Sequence, residues 1–287
     1  MKAERFKIFS VVSNESEIFD RTYQGADGLA WRMTSFSDKE IDYFSLPVSY
    51  IAIQEHNGKV TYFDRAFLEH ITERVSDNNS LRGILTQLAL AESIGTKQRS
   101  PVRVVLGCED WNIIHDNPNF VEWVRWLLNE NLHINLTFKW MNDSIIGNLS
   151  YQQVLDNSYQ VENFCNVLAE QLPKEFTKRI STTFDVPMYL HAQQKFDIKI
   201  PEGQFESLLA HRNPWLKSLI LDKGCILNDT TLQEILSAVR KELGDTHLII
   251  NSSDVGLQHN IHFEDLAKKI WATDKELLSK NIKYTQP

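Results

Sequence analysis

Glycine is scarce in this sequence: it accounts for only 11 of the 287 residues, alongside 8 prolines. Phosphate-binding loops and flexible linkers depend on glycine, because it adopts positive φ angles without strain. The sequence contains no GxxxxGK[ST] loop, no GxGxxG fingerprint, no GxSxG elbow and no kinase motif set. The enzyme classes most easily recognised from sequence are therefore excluded, and no cofactor is expected.

Cysteine and clustered positive charge are also rare. The three cysteines, Cys108, Cys165 and Cys225, lie far apart and form no CxxC pair. A few widely spaced cysteines are typical of a protein from a reducing compartment and not of a scaffold held together by disulfides. The formal net charge is -8 and no run of lysines and arginines marks a basic patch. We therefore do not expect nucleic-acid binding, which depends on positive charge to meet the phosphate backbone.

Long apolar runs are absent as well. No apolar stretch approaches the ~18 residues that a membrane-spanning helix needs. The first residues, MKAERFKIFSVV, carry charges that interrupt the apolar run a signal peptide requires. A composition of 42% hydrophobic and 24% charged residues is that of a folded, soluble protein. We expect an acidic, cytoplasmic protein that does not insert directly into a membrane.

Strand-like and helix-like segments alternate from residue 102 onward. Val102 to Leu106 and Ile134 to Phe138 are predicted strands, and the stripe between them, which includes Phe120 and Trp123, predicts an amphipathic helix. Further strands are predicted at 180–184, 195–200, 219–221 and 248–250. Strands that alternate with helices of ten or more residues favour an α/β fold with a mostly parallel sheet.

The first hundred residues differ from the rest. Residues 49–63 are predicted to form a β-hairpin, because Asn57-Gly58 suits a two-residue type I′ turn. A helix is expected after Asp64, and a second from Leu81 to its predicted end at Gly95. The polar segment before Pro101 is the best candidate boundary. The predicted regions are an α+β region over 1–100 and an α/β region over 101–287, or one continuous domain.

Two strand–helix–strand units, VRVVLGCEDWNIIHDNPNFVEWVRWLLNENLHINLTF and LKSLILDKGCILNDTTLQEILSAVRKELGDTHLIINSS, can be laid over each other. The second resembles a long, helix-containing leucine-rich repeat: Leu216, Leu219 and Leu221 follow its LxxLxL pattern, with Cys225 and Leu227 near the usual places. This resemblance implies an irregular β/α solenoid with a concave binding sheet as the alternative fold. Any βαβ unit tends toward a similar period, which favours the closed α/β layer structure.

The loop after the predicted strand at 102–106 contains several reactive side chains: Cys108, Glu109, Asp110 and His115. Functional groups gather beyond the carboxyl ends of parallel strands, and a Cys/His pair can form a thiolate nucleophile. The matching loop of the second unit also has a cysteine, Cys225, after its strand. Because one active site rarely needs the same group twice, the parallel favours packing over chemistry.

Two other clusters are candidate sites. Asp185 follows one predicted strand, and Asp197 and Lys199 lie on the next, in the D-x-K arrangement that nucleases use around Mg²⁺. These three residues are the candidate catalytic groups. His259 and His262, with an i, i+3 spacing, are the candidate metal ligands, although no third ligand is evident and surface histidines are the commoner explanation. No bound metal is therefore expected.

Three tryptophans are the candidate residues for binding a partner protein. Trp126 lies off the apolar stripe of its helix, and Trp111 and Trp140 lie in the flanking segments. Exposed tryptophans are enriched in protein-binding hot spots. The leading hypothesis is a non-catalytic protein-binding adaptor or accessory subunit of a larger, bacterial multi-protein assembly, which contacts its partners through these three residues. The alternative is a hydrolase or nuclease-like enzyme that uses strand-end carboxylates.

Overall fold

The computed structural model describes residues 5–12, 25–32, 48–52, 79–108, 111, 119–140, 151–187, 189–190, 204–212, 214–243, 246–251 and 262–282. These ranges contain eight strands. Their bounds are Lys7–Val12 (β1), Gly28–Arg32 (β2), Val48–Ala52 (β3), Val102–Cys108 (β4), Ile134–Trp140 (β5), Ile180–Asp185 (β6), Leu216–Asp222 (β7) and His247–Asn251 (β8).

The same ranges contain eight helices, most of which lie between consecutive strands. Their bounds are Asn79–Gln98 (α1), Asn119–Glu130 (α2), Tyr151–Gln171 (α3), Lys174–Thr177 (α4), Gln204–Arg212 (α5), Lys223–Leu227 (α6), Asp229–Glu242 (α7) and Phe263–Ile282 (α8). Within the described part of the chain, no helix is both long and apolar enough to cross a membrane.

The eight strands form a closed barrel in which every strand pairs in parallel with its neighbours in chain order. The last strand, β8, pairs with β1 and closes the sheet; Phe9 lies opposite Ile249 in that register. Strand–helix alternation around a closed parallel sheet is the (β/α)8, or TIM-barrel, architecture. The predicted α/β class and parallel pairing are confirmed.

Closure of the sheet contradicts the alternative fold predicted from the sequence, a leucine-rich-repeat-like solenoid. A leucine-rich-repeat solenoid would leave its first and last strands unpaired with each other, whereas β1 and β8 are hydrogen-bonded. The solenoid prediction is therefore wrong. The two units that resemble each other, β4–α2–β5 and β7–α7–β8, are each one βαβ segment of the barrel, which explains their common period.

The first predicted arm of the hairpin is part of β3, and both edges of this strand are paired in parallel. Tyr50 lies opposite Ala30 of β2 on one side and Arg103 of β4 on the other. The Asn57-Gly58 turn and the second arm lie outside the described residues. The β3–β4 pairing joins strands from either side of the candidate boundary before Pro101 in one sheet.

The strands alternate between a helix-facing side and a barrel-facing side. Their outward side chains join two large apolar clusters with the surrounding helices, one around β3–β5 and one around β6–β8. Helix α7 shows the pattern: Leu232, Ile235, Leu236 and Val239 are buried at helical spacing. Burying each such side chain stabilises the fold by roughly 1.5–3 kcal/mol. The side chain of Asn228 caps this helix by accepting from Thr231 N at 3.0 Å.

Gly95 does not end its helix as predicted, because α1 continues to Gln98. A Cβ atom at Gly95 would stand 2.6 Å from Cβ of His133, so glycine is needed here for close approach. The chain leaves α1 at Arg99, which has a φ of 54°. The glycine therefore marks a contact between the helix and the segment before β5.

Candidate functional site

An apolar layer fills the middle of the barrel interior. It consists of Phe9, Val11, Ala30, Tyr50 and Ile249, with Val105 and Ile220 packed against it. The rings of Phe9 and Tyr50 meet edge to face at a centroid distance of 5.4 Å. Polar side chains lie at both ends of this layer, and the end formed by the carboxyl ends of the strands is where TIM-barrel enzymes place their active sites.

Four polar residues lie at the carboxyl ends of adjacent strands and form what we name the carboxyl-end cluster: Lys139, Asp185, Asp222 and Asn251. The Lys139 ammonium and the Asp185 carboxylate form an ion pair with Nζ and Oδ2 2.6 Å apart. Their side chains are only 11% and 18% exposed. Asp222 and Asn251 stand opposite each other on β7 and β8. The ion pair therefore joins two strands inside a largely closed space.

Alternation along β5 places Lys139 inside the barrel. Its neighbours Phe138 and Trp140 belong to the outward cluster, so the lysine side chain takes the opposite side of the strand. Trp111 secures this strand end from outside: its indole N–H donates to Lys139 O at 3.2 Å, and its ring packs against Phe138 and Phe164. The loop after β4 thus contributes a buried support beneath the lysine.

A buried ion pair supports β6 from its helix-facing side. Arg212 on α5 and Glu162 on α3 are 3.0 Å apart, and the Thr182 hydroxyl donates to the same Glu162 oxygen at 3.2 Å. The Arg212 guanidinium stacks on Phe184, 4.3 Å from the ring centroid. Because Phe184 immediately precedes Asp185, this network fixes the strand end that carries the carboxylate.

Two opposing effects act on the pKa of the Glu162 carboxyl in this ion pair. Burial raises the pKa of the Glu162 carboxyl above its ordinary value, and the adjacent Arg212 charge works against that rise. The net direction is upward. A buried carboxylate in this position depends on its arginine, because an unpaired charge in the interior carries a large desolvation cost.

Asp222 has a local structural role at the same barrel end. Its Oδ1 accepts from Cys225 N at 2.8 Å and caps the short helix α6. Burial and the Asp222 charge raise the pKa of the Cys225 thiol far above its usual range, and Asp185 adds to the effect. Cys225 is 1% exposed and belongs to the apolar cluster around β6–β8, which confirms its interpretation as a packing residue.

The other candidate nucleophiles and metal ligands fall into two groups. The side chain of Cys108 and residues Glu109, Asp110 and His115 lie outside the described residues. So do Asp197 and Lys199, the predicted companions of Asp185, and the candidate metal ligand His259. Within the described ranges no group of three or more His, Cys, Asp or Glu side chains could hold a metal ion. His262 lies exposed at the start of α8.

Burial differs among the tryptophans of the predicted contact surface. Trp111 is 1% exposed and Trp140 is buried as well, because both pack in the cluster between the sheet and the helices. Trp126 on α2 is 50% exposed, as its position off the apolar stripe indicates. The buried Trp123 on the same helix is a core residue, as predicted.

Sequence reasoning singled out Asp185 but missed its partner Lys139. The signal was the alternation in INLTFKW, where Asn135, Thr137 and Lys139 occupy every second position. In an open sheet this pattern indicates a solvent-facing side. In a closed barrel the same side faces the interior, so the lysine lies beside the aspartate of the next strand.

The sequence matches no protein-family model, and a comparison with curated proteins finds no match. The function must therefore be argued from the geometry of the chain itself.

Proposed function

We propose that this chain is an enzyme of the hydrolase class, with its active site at the carboxyl-end cluster. Asp185 is the general base and Lys139 its electrostatic partner. The observation that carries the proposal is the 2.6 Å ion pair, largely buried, inside the barrel at the carboxyl ends of two adjacent strands. Catalytic groups in TIM barrels come from the ends of several strands at this face. The proposal develops the strand-end carboxylate hypothesis, with Lys139 added to it.

The chemistry follows from the two charges. The Asp185 carboxylate accepts a proton from a water molecule as the water oxygen attacks the electrophilic centre of the substrate. The bond to the leaving group then breaks, and the protonated Asp185 returns its proton to the departing oxygen, which restores the carboxylate. The Lys139 ammonium orients the carboxylate and stabilises the negative charge that develops on the substrate oxygen. Asn251, opposite Asp222 in the β7–β8 register, supplies an amide that can donate to or accept from a bound substrate.

The test is turnover on a panel of p-nitrophenyl esters, phosphates and glycosides by the full chain. We expect at least one substrate to be turned over, and Asp185→Asn to lower kcat by about 10²–10⁴-fold, the usual contribution of a general base. Glu170→Gln, which removes an exposed carboxylate on α3, is the matched control and should retain full turnover. Full activity of Asp185→Asn, or no turnover of the whole panel by the unaltered chain, would contradict the proposal.

A second candidate is the protein-binding adaptor or accessory subunit of a larger assembly. The observation that favours it is Trp126, which is half exposed on α2. A large, rigid ring on the surface gains contact area at little entropic cost. Trp111 and Trp140 no longer contribute to this proposal, because their side chains are buried.

The adaptor proposal is tested by measuring which proteins co-purify with the tagged chain from its native cell. Trp126→Ala should reduce recovery of the partners while leaving Tm unchanged. Trp123→Ala is the contrasting variant on the same helix, and it should lower Tm because its ring is buried. Equal recovery with and without Trp126 would remove the surface argument.

A further inference from the structure

The opposite end of the barrel interior carries hydrogen-bond donors and positive charge. Lys7, Arg103, Asn135 and His247 lie at or near the amino ends of their strands, and the hydroxyl of Tyr50, in the middle of β3, reaches His247; we name these five residues the amino-end cluster. Phe9, Val105 and Ile249 belong to the interior apolar layer. Lys7, Arg103 and His247 stand two positions before these residues on the same strands, so they face the same interior space.

Register brings these side chains together in two pairs. Lys7 lies opposite His247 on β1 and β8, and Arg103 lies opposite Asn135 on β4 and β5. Tyr50 connects the pairs. Its hydroxyl is 2.6 Å from Nδ1 of His247, and the nearby Arg103 charge works to lower the pKa of Tyr50. The interior of an eight-stranded barrel is just wide enough for side chains to fill it or to hold one small ligand. Groups that project inward from opposite strands therefore reach a common centre.

Carboxylates are missing from this set. Among the described residues, no Asp or Glu faces the interior at the amino end. Nη1 of Arg103 instead donates to the Ser181 hydroxyl at 3.4 Å. The acid just before β2, Asp27, accepts instead from Arg5 at 2.6 Å and from Ile8 N at 2.8 Å. The Arg103 guanidinium is thus partly buried, and none of the described carboxylates pairs with it.

We propose that the amino-end cluster binds a small oxyanion of the phosphate class. Arg103 presents a planar fork that suits two oxygens of such an anion, and Lys7 presents a mobile point charge at the rim. Asn135 offers a further donor from the neighbouring strand β5. This site is separate from the carboxyl-end cluster, since Phe9, Val105 and Ile249 of the apolar layer lie between them.

Calorimetric titration of the full chain with inorganic phosphate tests the proposal, at ionic strength held constant with sodium chloride. We expect saturable binding of one phosphate per chain. Arg103→Gln should weaken the Kd by at least about tenfold, as befits the loss of a charge-assisted contact. Lys7→Gln should weaken it by about threefold, because its ammonium is exposed and screened. Arg99→Gln, which removes an exposed arginine near the same barrel end, is the matched control and should bind as the unaltered chain does.

Further arms separate the possible forms of the ligand. Glycerol 2-phosphate binding as tightly as inorganic phosphate would assign the site to the terminal phosphate of a larger molecule, and weaker binding would assign it to the free ion. Both results support an oxyanion site. A heat signal that chloride reproduces, no saturable binding by the unaltered chain, or an unchanged Kd in Arg103→Gln and Lys7→Gln would overturn it. Lys7→Gln decides the matter if Arg103→Gln fails to fold, since Lys7 is exposed.

Discussion

The two ends of the barrel interior hold their cations in different ways. At the carboxyl end Lys139 is matched by Asp185 at 2.6 Å, and behind β6 Arg212 is matched by Glu162 at 3.0 Å. At the amino end Arg103 lies beside a serine hydroxyl and a tyrosine, and no carboxylate in the described part of the chain pairs with it. A paired charge stabilises the fold and loses that stabilisation when its partner is removed. A charge without a partner contributes little to the stability of the fold and is free to bind an anion. We therefore expect the paired cations to contribute to stability and Arg103 to contribute to anion binding.

The largest expected effect is at the buried pair behind β6. Arg212→Met leaves Glu162, whose side chain is 4% exposed, without its counter-ion. We expect the free energy of unfolding to fall by about 3–5 kcal/mol, measured by urea titration at pH 7. The contrasting variant is Lys241→Met, which breaks an exposed pair with Glu206 and should leave the unfolding midpoint unchanged. A loss at Arg212 as small as that at Lys241 would show that the pair does not support β6.

The next effect is a pH dependence at the amino end. Burial raises the pKa of Tyr50 to about 12, against an opposing effect of Arg103. Because this pKa is above the value near 10 of the unfolded chain, the tyrosine's contribution is complete below pH 10 and is lost as the pH rises toward 12. Between these pH values we expect the stability advantage of the unaltered chain over Tyr50→Phe to shrink by about 2–3 kcal/mol. A constant difference across that range would place the Tyr50 hydroxyl in contact with water.

A smaller loss is expected at the carboxyl end itself. Lys139→Met removes the ammonium that pairs with the mostly buried Asp185 carboxylate, which should cost about 1–3 kcal/mol in urea unfolding. The double variant Lys139→Met with Asp185→Asn removes both charges and should regain part of that stability. Additive losses in the double variant would mean that the two side chains do not interact in solution.

The smallest effect should follow from removing the unpaired cation. Arg103→Met, studied without phosphate, is expected to change the free energy of unfolding by less than about 1 kcal/mol, because no carboxylate loses a partner. Added phosphate should then stabilise the unaltered chain but not the variant, since only a ligand that binds the folded state raises Tm. A loss above about 2 kcal/mol without phosphate would assign Arg103 a structural role of the Arg212 kind.

Individual strands and helices of this fold could be predicted from the sequence because their apolar patterns lie within short segments. The strands at 102–106 and 134–138 and the helix between them follow from apolar periodicity within each segment. Closure of the barrel could not be predicted from the sequence, because it depends on pairing between β1 and β8, which lie far apart in the chain. Once closure is known, the polar alternation of β5 describes an interior surface and not an exposed one.

The candidate site was predicted only in part for the same reason. Asp185 was identified from its place after an apolar strand, but Lys139 becomes its partner only when β5 and β6 pair side by side. Trp111 was predicted to lie on a contact surface because it flanks the helix that carries Trp126, yet its indole is buried and donates to Lys139 O. A loop's composition does not reveal that one of its side chains turns back into the core.

The contrast between the barrel ends is tested most directly by measuring phosphate binding to Arg103→Gln and Lys139→Gln under the same conditions. Each variant removes one cation from one end of the interior. We predict that Lys139→Gln binds phosphate with the Kd of the unaltered chain and that Arg103→Gln loses at least about tenfold. Loss of binding in Lys139→Gln, with the Kd of Arg103→Gln unchanged, would place the anion at the carboxyl end and contradict the account.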